Sequence, residues 1–158
     1  MDAMRLLPAL ALALWQLAAA AADALPDADT REIRSYVLTE AALGKYVQAT
    51  RRLSAIRLEC SVDDSGVDDL SDAAAKIDAV PGAIQAMRSA GMTSREYVVF
   101  AFALIENAFA AHTLDQPGGK LPPGISMANV DFFRKHADEI AKLGKETEVA
   151  SCEEAEGG

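Results

Sequence analysis

The stretch MTSREYVVFAFALIENAFAAHTL, residues 92–114, decides the fold. Thr93 and Glu96 stand three apart, the spacing at which a threonine hydroxyl and a glutamate carboxylate each accept an orphan backbone N–H at a helix start. Met92 just before the cap and Tyr97 just inside the helix have the spacing of a hydrophobic staple. The helix they open is apolar on nearly every side, since Tyr97, Val98, Val99, Phe100, Phe102, Leu104, Ile105, Phe109 and Leu114 cover most of its circumference. A helix without a wide polar face has to be surrounded, so residues 94–113 are expected to form the central helix of the domain. Arg95, Glu106 and Thr113 share one narrow strip, expected to be its solvent edge. Asn107 falls instead among Phe100, Ala111 and Leu114, where burial would oblige it to hydrogen-bond to a backbone group of the following connection or to a tyrosine of the first helix.

The flanking sequence supplies helices to surround it. Over residues 30–56, apolar side chains from Ile33 and Tyr36 to Leu53 and Ile56 recur at three and four, which predicts one long amphipathic helix capped by Asp29 or Thr30. Residues 60–70 have no apolar period and read as a loop. A shorter helix from about Ser71 carries Ile77 and Val80 and stops at Pro81, which has no N–H to donate. Pro81 suits the first position of a further helix over 81–90, with Ile84 and Met87 on one side and Gly91 closing it. Downstream, QPGGKLPPG over 116–124 is too rich in proline and glycine for a helix or a paired strand, and Leu121 and Ile125 tack it to the core. Ser126 or Asn129 caps the last helix, which buries Val130, Phe133, Ala137, Ile140 and Leu143 and ends at Gly144. No alternating run supports a sheet. The expected class is all-α, a compact bundle of four to five helices around residues 94–113.

The ends bear on compartment. Arg5, an apolar run over 6–17 and an alanine stretch over 18–22 have the three-part layout of a secretion signal. Cleavage is expected after Ala24, with Ala22 the alternative, and Met4 is a second candidate start. The apolar run is shorter than the roughly 20 residues that span a bilayer, which argues against an anchor. Domain organisation then reads as a signal over 1–24, one helical domain over 25–144 and an acidic tail over 145–158. The mature protein is expected in the periplasm or outside the cell, with no membrane span.

The net charge of −9 falls to −8 once Asp2, Arg5 and Asp23 leave with the signal. Such a surface repels phosphate backbones, so no nucleic-acid partner is expected, and a basic protein or peptide is the natural complement. Two cysteines in an oxidising compartment are expected to join, Cys60 to Cys152, which would anchor the tail.

LTEAALGKYVQATRRL over 38–53, KIDAVPGAIQAMRSAGMTSREYVVFAFAL over 76–104 and GGKLPPGISMANVDFFRKHADEI over 118–140 together resemble a group of small exported helical proteins of bacteria. No activity is attached to that group. The resemblance implies compartment and fold and assigns no site residue; Cys60 and Cys152 lie outside the shared pattern.

Motifs with chemical content are scarce. A zinc peptidase places two histidines four apart with a glutamate between, and a di-iron bundle uses Glu-x-x-His pairs. Here Phe109 and Phe133 occupy the positions three before His112 and His136. The two histidines could still meet with Glu106 or Glu139 around a metal, against a reading of both as surface residues near helix ends. Asp63, Asp64, Asp68, Asp69 and Asp72 surround Gly66, but an EF-hand alignment puts Ser61 first and Asp72 last, where aspartate and a bidentate glutamate belong. No metal and no cofactor is therefore assigned, and the enzyme class has no positive support. The first expectation is a non-catalytic binding or interaction module for another exported protein or peptide, using the connection at Leu121, Pro122 and Pro123. The alternative is a bundle that holds a small apolar ligand or cofactor against Phe100, Phe102, Phe109 and Phe133.

Overall fold

The computed structural model describes residues 25–62 and 66–148. These form seven helices and no strand: α1 (Asp27–Ser35), α2 (Glu40–Ala55), α3 (Leu58–Ser61), α4 (Leu70–Asp78), α5 (Ala83–Ala90), α6 (Ser94–Leu114) and α7 (Met127–Thr147). The protein is all-α. The secretion signal expected over 1–24 and the tail beyond residue 148, Cys152 included, lie outside the described residues.

Two features account for the excess over four to five helices. The single helix expected over 30–56 is divided, because residues 36–39 leave the helical path. Tyr36 is extended, and Thr39 caps α2 by accepting from the backbone N–H of Ala42. Apolar spacing continues across the interruption and conceals it: Leu38 is buried at 5% exposure while its neighbour Val37 stands 69% exposed. In addition, a single helical turn, α3, forms where a loop was expected and buries Leu58.

α6 packs against α1, α2, α4 and α7. Its capping box forms as expected, with Thr93 accepting from the Glu96 N–H and Glu96 accepting from the Thr93 N–H. Such a cap contributes about 1 kcal/mol. By length and composition α6 could cross a membrane, with a mean hydropathy of 1.4 over its most apolar window; 61% of that window is buried within the protein. The strip expected to face solvent is exposed only at Thr113; Arg95 and Glu106 are half-buried and paired with α1. Glu32 of α1 accepts from Arg95 at 2.7 Å, and Arg34 donates to Glu106 at 2.9 Å. Two charges on α6 were therefore matched by two on a helix whose separate existence the spacing had hidden.

Smaller boundaries also move. α4 begins at Leu70, with Asp69 accepting from the Asp72 N–H. Pro81 does not open α5: a turn through Gly82, at φ 87°, intervenes, and Ile84 points outwards at 43% exposure while Met87 is buried. Gly91, at φ 73°, closes α5 as expected. α7 runs three residues beyond Gly144, because its last turn is tied to α2. Ser54 donates to the Thr147 carbonyl at 3.2 Å and Arg51 pairs with Glu146 at 2.8 Å.

Apolar burial divides into two clusters. The larger gathers Leu43, Leu53, Leu70, Met87, Tyr97, Val98, Phe100 and their neighbours. The smaller joins Ala110 and Ala111, at the end of α6, to Ile125 and Val130, with Leu114 and Leu121 alongside. Phe133 packs against both.

Candidate functional site

The connection between α6 and α7 is fastened from several directions. Leu121 and Pro122 are half-buried, Pro123 is exposed, and Ile125 is buried in the smaller cluster. Gly119 lies so close to the Thr113 carbonyl that a Cβ there would overlap it. Asp115 accepts from Arg134 of α7 at 2.7 Å. Gly124, at φ 83°, runs past the aliphatic part of Arg34, where an added Cβ would come within 3.2 Å. Leu121 and Ile125 thus tack the connection down as the sequence suggested.

Asn129 links this region to the interruption between α1 and α2. Its Oδ1 accepts from the Leu38 N–H at 3.0 Å and its Nδ2 donates to the Tyr36 carbonyl at 2.7 Å. One side-chain amide therefore supplies partners to two of the backbone groups that the interruption leaves without helical ones. Sequence reading offered Asn129 only as a cap. Ser126 takes that role, accepting from the Asn129 N–H at 3.1 Å, and leaves the amide free for the 36–38 backbone. Beside this junction in the chain two large apolar side chains are exposed, Val37 at 69% and Met127 at 43%, and Phe109 on α6 is exposed at 49%. Val37 sits between the two residues that Asn129 holds, Met127 is two residues before Asn129, and Phe109 is one turn along α6 from Glu106.

The four phenylalanines of the ligand-holding alternative do not share one surrounding. Phe100 and Phe102 are buried, Phe133 is half-buried between the clusters and Phe109 is exposed. Phe100 packs instead against Tyr36 and Tyr46, at centroid distances of 5.9 and 4.9 Å.

A buried polar cluster lies beside them. Tyr46 stacks on Tyr97 at 4.9 Å, and the Thr50 hydroxyl is 3.2 Å from the Tyr97 hydroxyl. Burial raises both phenols, Tyr97 well above its ordinary value with Tyr46 adding to the effect. Neither phenol is suited to act as a base near neutral pH. Glu59 of α3 has both carboxylate oxygens buried with no hydrogen-bond partner among the described residues, and desolvation raises its carboxyl. The residue before α3, Arg57, adopts a left-handed backbone at φ 54°. Tyr46 and Thr50 hold α2 against Tyr97 of α6.

The remaining candidates separate. His112 is exposed and His136 is buried, the latter between Glu40 and Glu139, so His136 is not the surface residue expected. No group of three histidine, cysteine, aspartate or glutamate side chains among the described residues could hold a metal ion. In the acidic loop, Asp63 and Asp64 lie outside the described residues. Asp69 caps α4, Asp72 accepts from the Asp68 N–H, and Asp29 accepts from the Leu70 N–H at 2.8 Å. Backbone donors occupy these carboxylates. Asn107 is buried, but Nδ2 donates to Ala103 of its own helix at 2.8 Å, not to the connection or a tyrosine, and Oδ1 has no partner among the described residues. Cys60 is half-buried, with the Arg57 guanidinium 3.9 Å from Sγ.

No known protein family, curated protein or solved structure matches the chain.

Proposed function

We propose that this protein is an exported, non-catalytic interaction module, a compact bundle wrapped around α6 that binds another exported protein or peptide of basic character. The observation that carries this reading is the junction of residues 36–38 with the 115–126 connection. Exposed apolar side chains there stand on backbone that Asn129, Gly119 and the smaller cluster hold in place. Preorganised loops lose little entropy on binding, and apolar anchors on such loops carry affinity. The net charge, −9 for the full chain and −8 without residues 1–24, favours a basic partner and speeds its encounter. The dispersal of Phe100, Phe102, Phe109 and Phe133 weighs against an enclosed apolar ligand.

A test uses protein purified from the exporting compartment, with its partner identified by crosslinking. Alanine or glycine at Leu121, Pro122 and Pro123, or aspartate at Val37 and Met127, should preserve the helical circular dichroism and abolish capture of that partner. Capture that survives all of these replacements overturns the proposed face. A small molecule retained by the wild type in native mass spectrometry supports the ligand-holding alternative.

The same reading includes a Cys60–Cys152 disulfide. Thr147 already lies against Ser54, and the five residues from Thr147 to Cys152 can extend about 17 Å at most. No free cysteine occurs among the described residues. The chain-entropy model values so long a closed loop at roughly 4 to 5 kcal/mol. Thiol titration of unfolded, non-reduced protein should find no free thiol; two per chain would refute the bond.

A further inference from the structure

His136 is held in an unusual way for a residue on the inner face of α7. It is 9% exposed, and each ring nitrogen faces a different glutamate. Nε2 lies 3.0 Å from Oε1 of Glu40, the first residue of α2, and Nδ1 lies 3.1 Å from Oε2 of Glu139, one turn further along α7. Glu40 Oε1 also accepts from Lys135 at 2.6 Å. The Phe132 ring packs against the imidazole with centroids 4.4 Å apart. A carboxylate only accepts, and a neutral imidazole carries one N–H. Both contacts are hydrogen bonds at the same time only when the ring carries two N–H donors, a cationic form that an adjacent aromatic face also favours.

We propose that His136 is a proton-dependent clasp: doubly protonated, it ties the first turn of α2 to α7 through Glu40 while held by Glu139, and loss of one proton releases one of these ties. Glu40 is a dependable acceptor, because the Lys135 hydrogen bond, followed by that of His136, holds its carboxyl below the usual range. Among the described residues, the charged groups that face the ring are Glu40 from α2 and Glu139 from α7, with Lys135 of α7 joined to it through Glu40. Lys135 stays charged when the imidazole becomes neutral, so Glu40 keeps one partner and the change is a loosening, not a repulsion. α2 begins immediately after residues 36–39, which Asn129 holds through a neutral amide. When the contact released is that to Glu40, deprotonation weakens the hold of α7 on the first turn of α2, while the Lys135–Glu40 pair and the Asn129 bonds to residues 36–38 remain.

The sign follows from linkage. Contacts that need two ring N–H donors stabilise the fold while the second proton is bound and are lost as rising pH removes it. The test compares thermal unfolding of the full chain at about pH 6 and about pH 8.5, on either side of ordinary histidine titration. Wild type should lose about 3 °C more in melting temperature between the two than His136→Gln or Glu40→Gln does. Equal losses in all three overturn the clasp. Ring-nitrogen NMR of the wild type answers the same question without a variant. Two N–H donors on His136 at about pH 6 support the proposal; a singly protonated ring there refutes it.

Discussion

The two ends of α6 are held by different physics. At its start, Tyr97, Val98 and Phe100 are enclosed in the larger apolar cluster, and a capping box closes the helix. At its end, the smaller cluster is built largely on Ala110 and Ala111, which offer little area, and the pairs Arg34–Glu106 and Arg134–Asp115 carry more of the hold, with Asn129 fastening neighbouring α7 to residues 36–38. Apolar area stabilises in proportion to what it buries, whereas exposed ion pairs contribute little. The start of α6 should therefore be the last part of the fold to open, and the connection end the first.

The largest expected effect comes from breaking the strong end. Phe100 is fully buried against Tyr36 and Tyr46. Phe100→Ala should cost about 3 to 5 kcal/mol, read as a global fall in the denaturant midpoint. A loss below about 1 kcal/mol would mean the larger cluster is not the stabilising centre described. Next in size is Asn129→Ala, which strands the Leu38 N–H and the Tyr36 carbonyl. With one of the two hydrogen bonds only part-buried, the cost should be about 2 kcal/mol. Its signature should also be local: amide exchange at Leu38 accelerates far more than exchange within α6. Uniform acceleration would show that the two ends open together and erase the contrast.

The contrast also explains what was legible in the sequence. The Thr93 and Glu96 cap, the all-round apolarity of α6 and the Gly91 stop are local patterns, complete within one or two turns, and each forms as read. What sequence reading missed depends on partners far along the chain. Asn129 acts on residues 91 and 93 positions away, and His136 meets Glu40 across 96 positions. The interruption at 36–39 had one local signal, Thr39 followed by Glu40 as a cap and an acidic first turn, but apolar spacing that ran on through Tyr36 and Val37 outweighed it. The placement of Leu121 and Ile125 was legible because a Pro-Gly-rich connection has few apolar residues with which to hold itself down. That Val37 and Met127 border the same junction was not, since nothing in their spacing relates residue 37 to residue 127.

The smallest expected effect tests the boundary between the two ends. Asn107 stands on α6 between Leu104 of the larger cluster and Ala110 of the smaller, at 2% exposure. Its Nδ2 donates to the Ala103 carbonyl, an oxygen within the helix, so that bond joins α6 to nothing else. Its Oδ1 is buried without a partner among the described residues. A stranded carbonyl of this kind costs about 1 to 3 kcal/mol in desolvation, while the single neutral hydrogen bond returns about 1. Asn107→Leu removes both terms and adds apolar area that links the clusters, against some strain from its larger side chain. The variant should therefore match or exceed wild-type stability within about 1 kcal/mol, where most buried substitutions destabilise. It should also slow amide exchange in the first turn of α7, because the weaker end gains contact with the stronger. A loss of 2 kcal/mol or more would mean that Oδ1 has a partner after all, and that the asparagine ties the two clusters together instead of separating them.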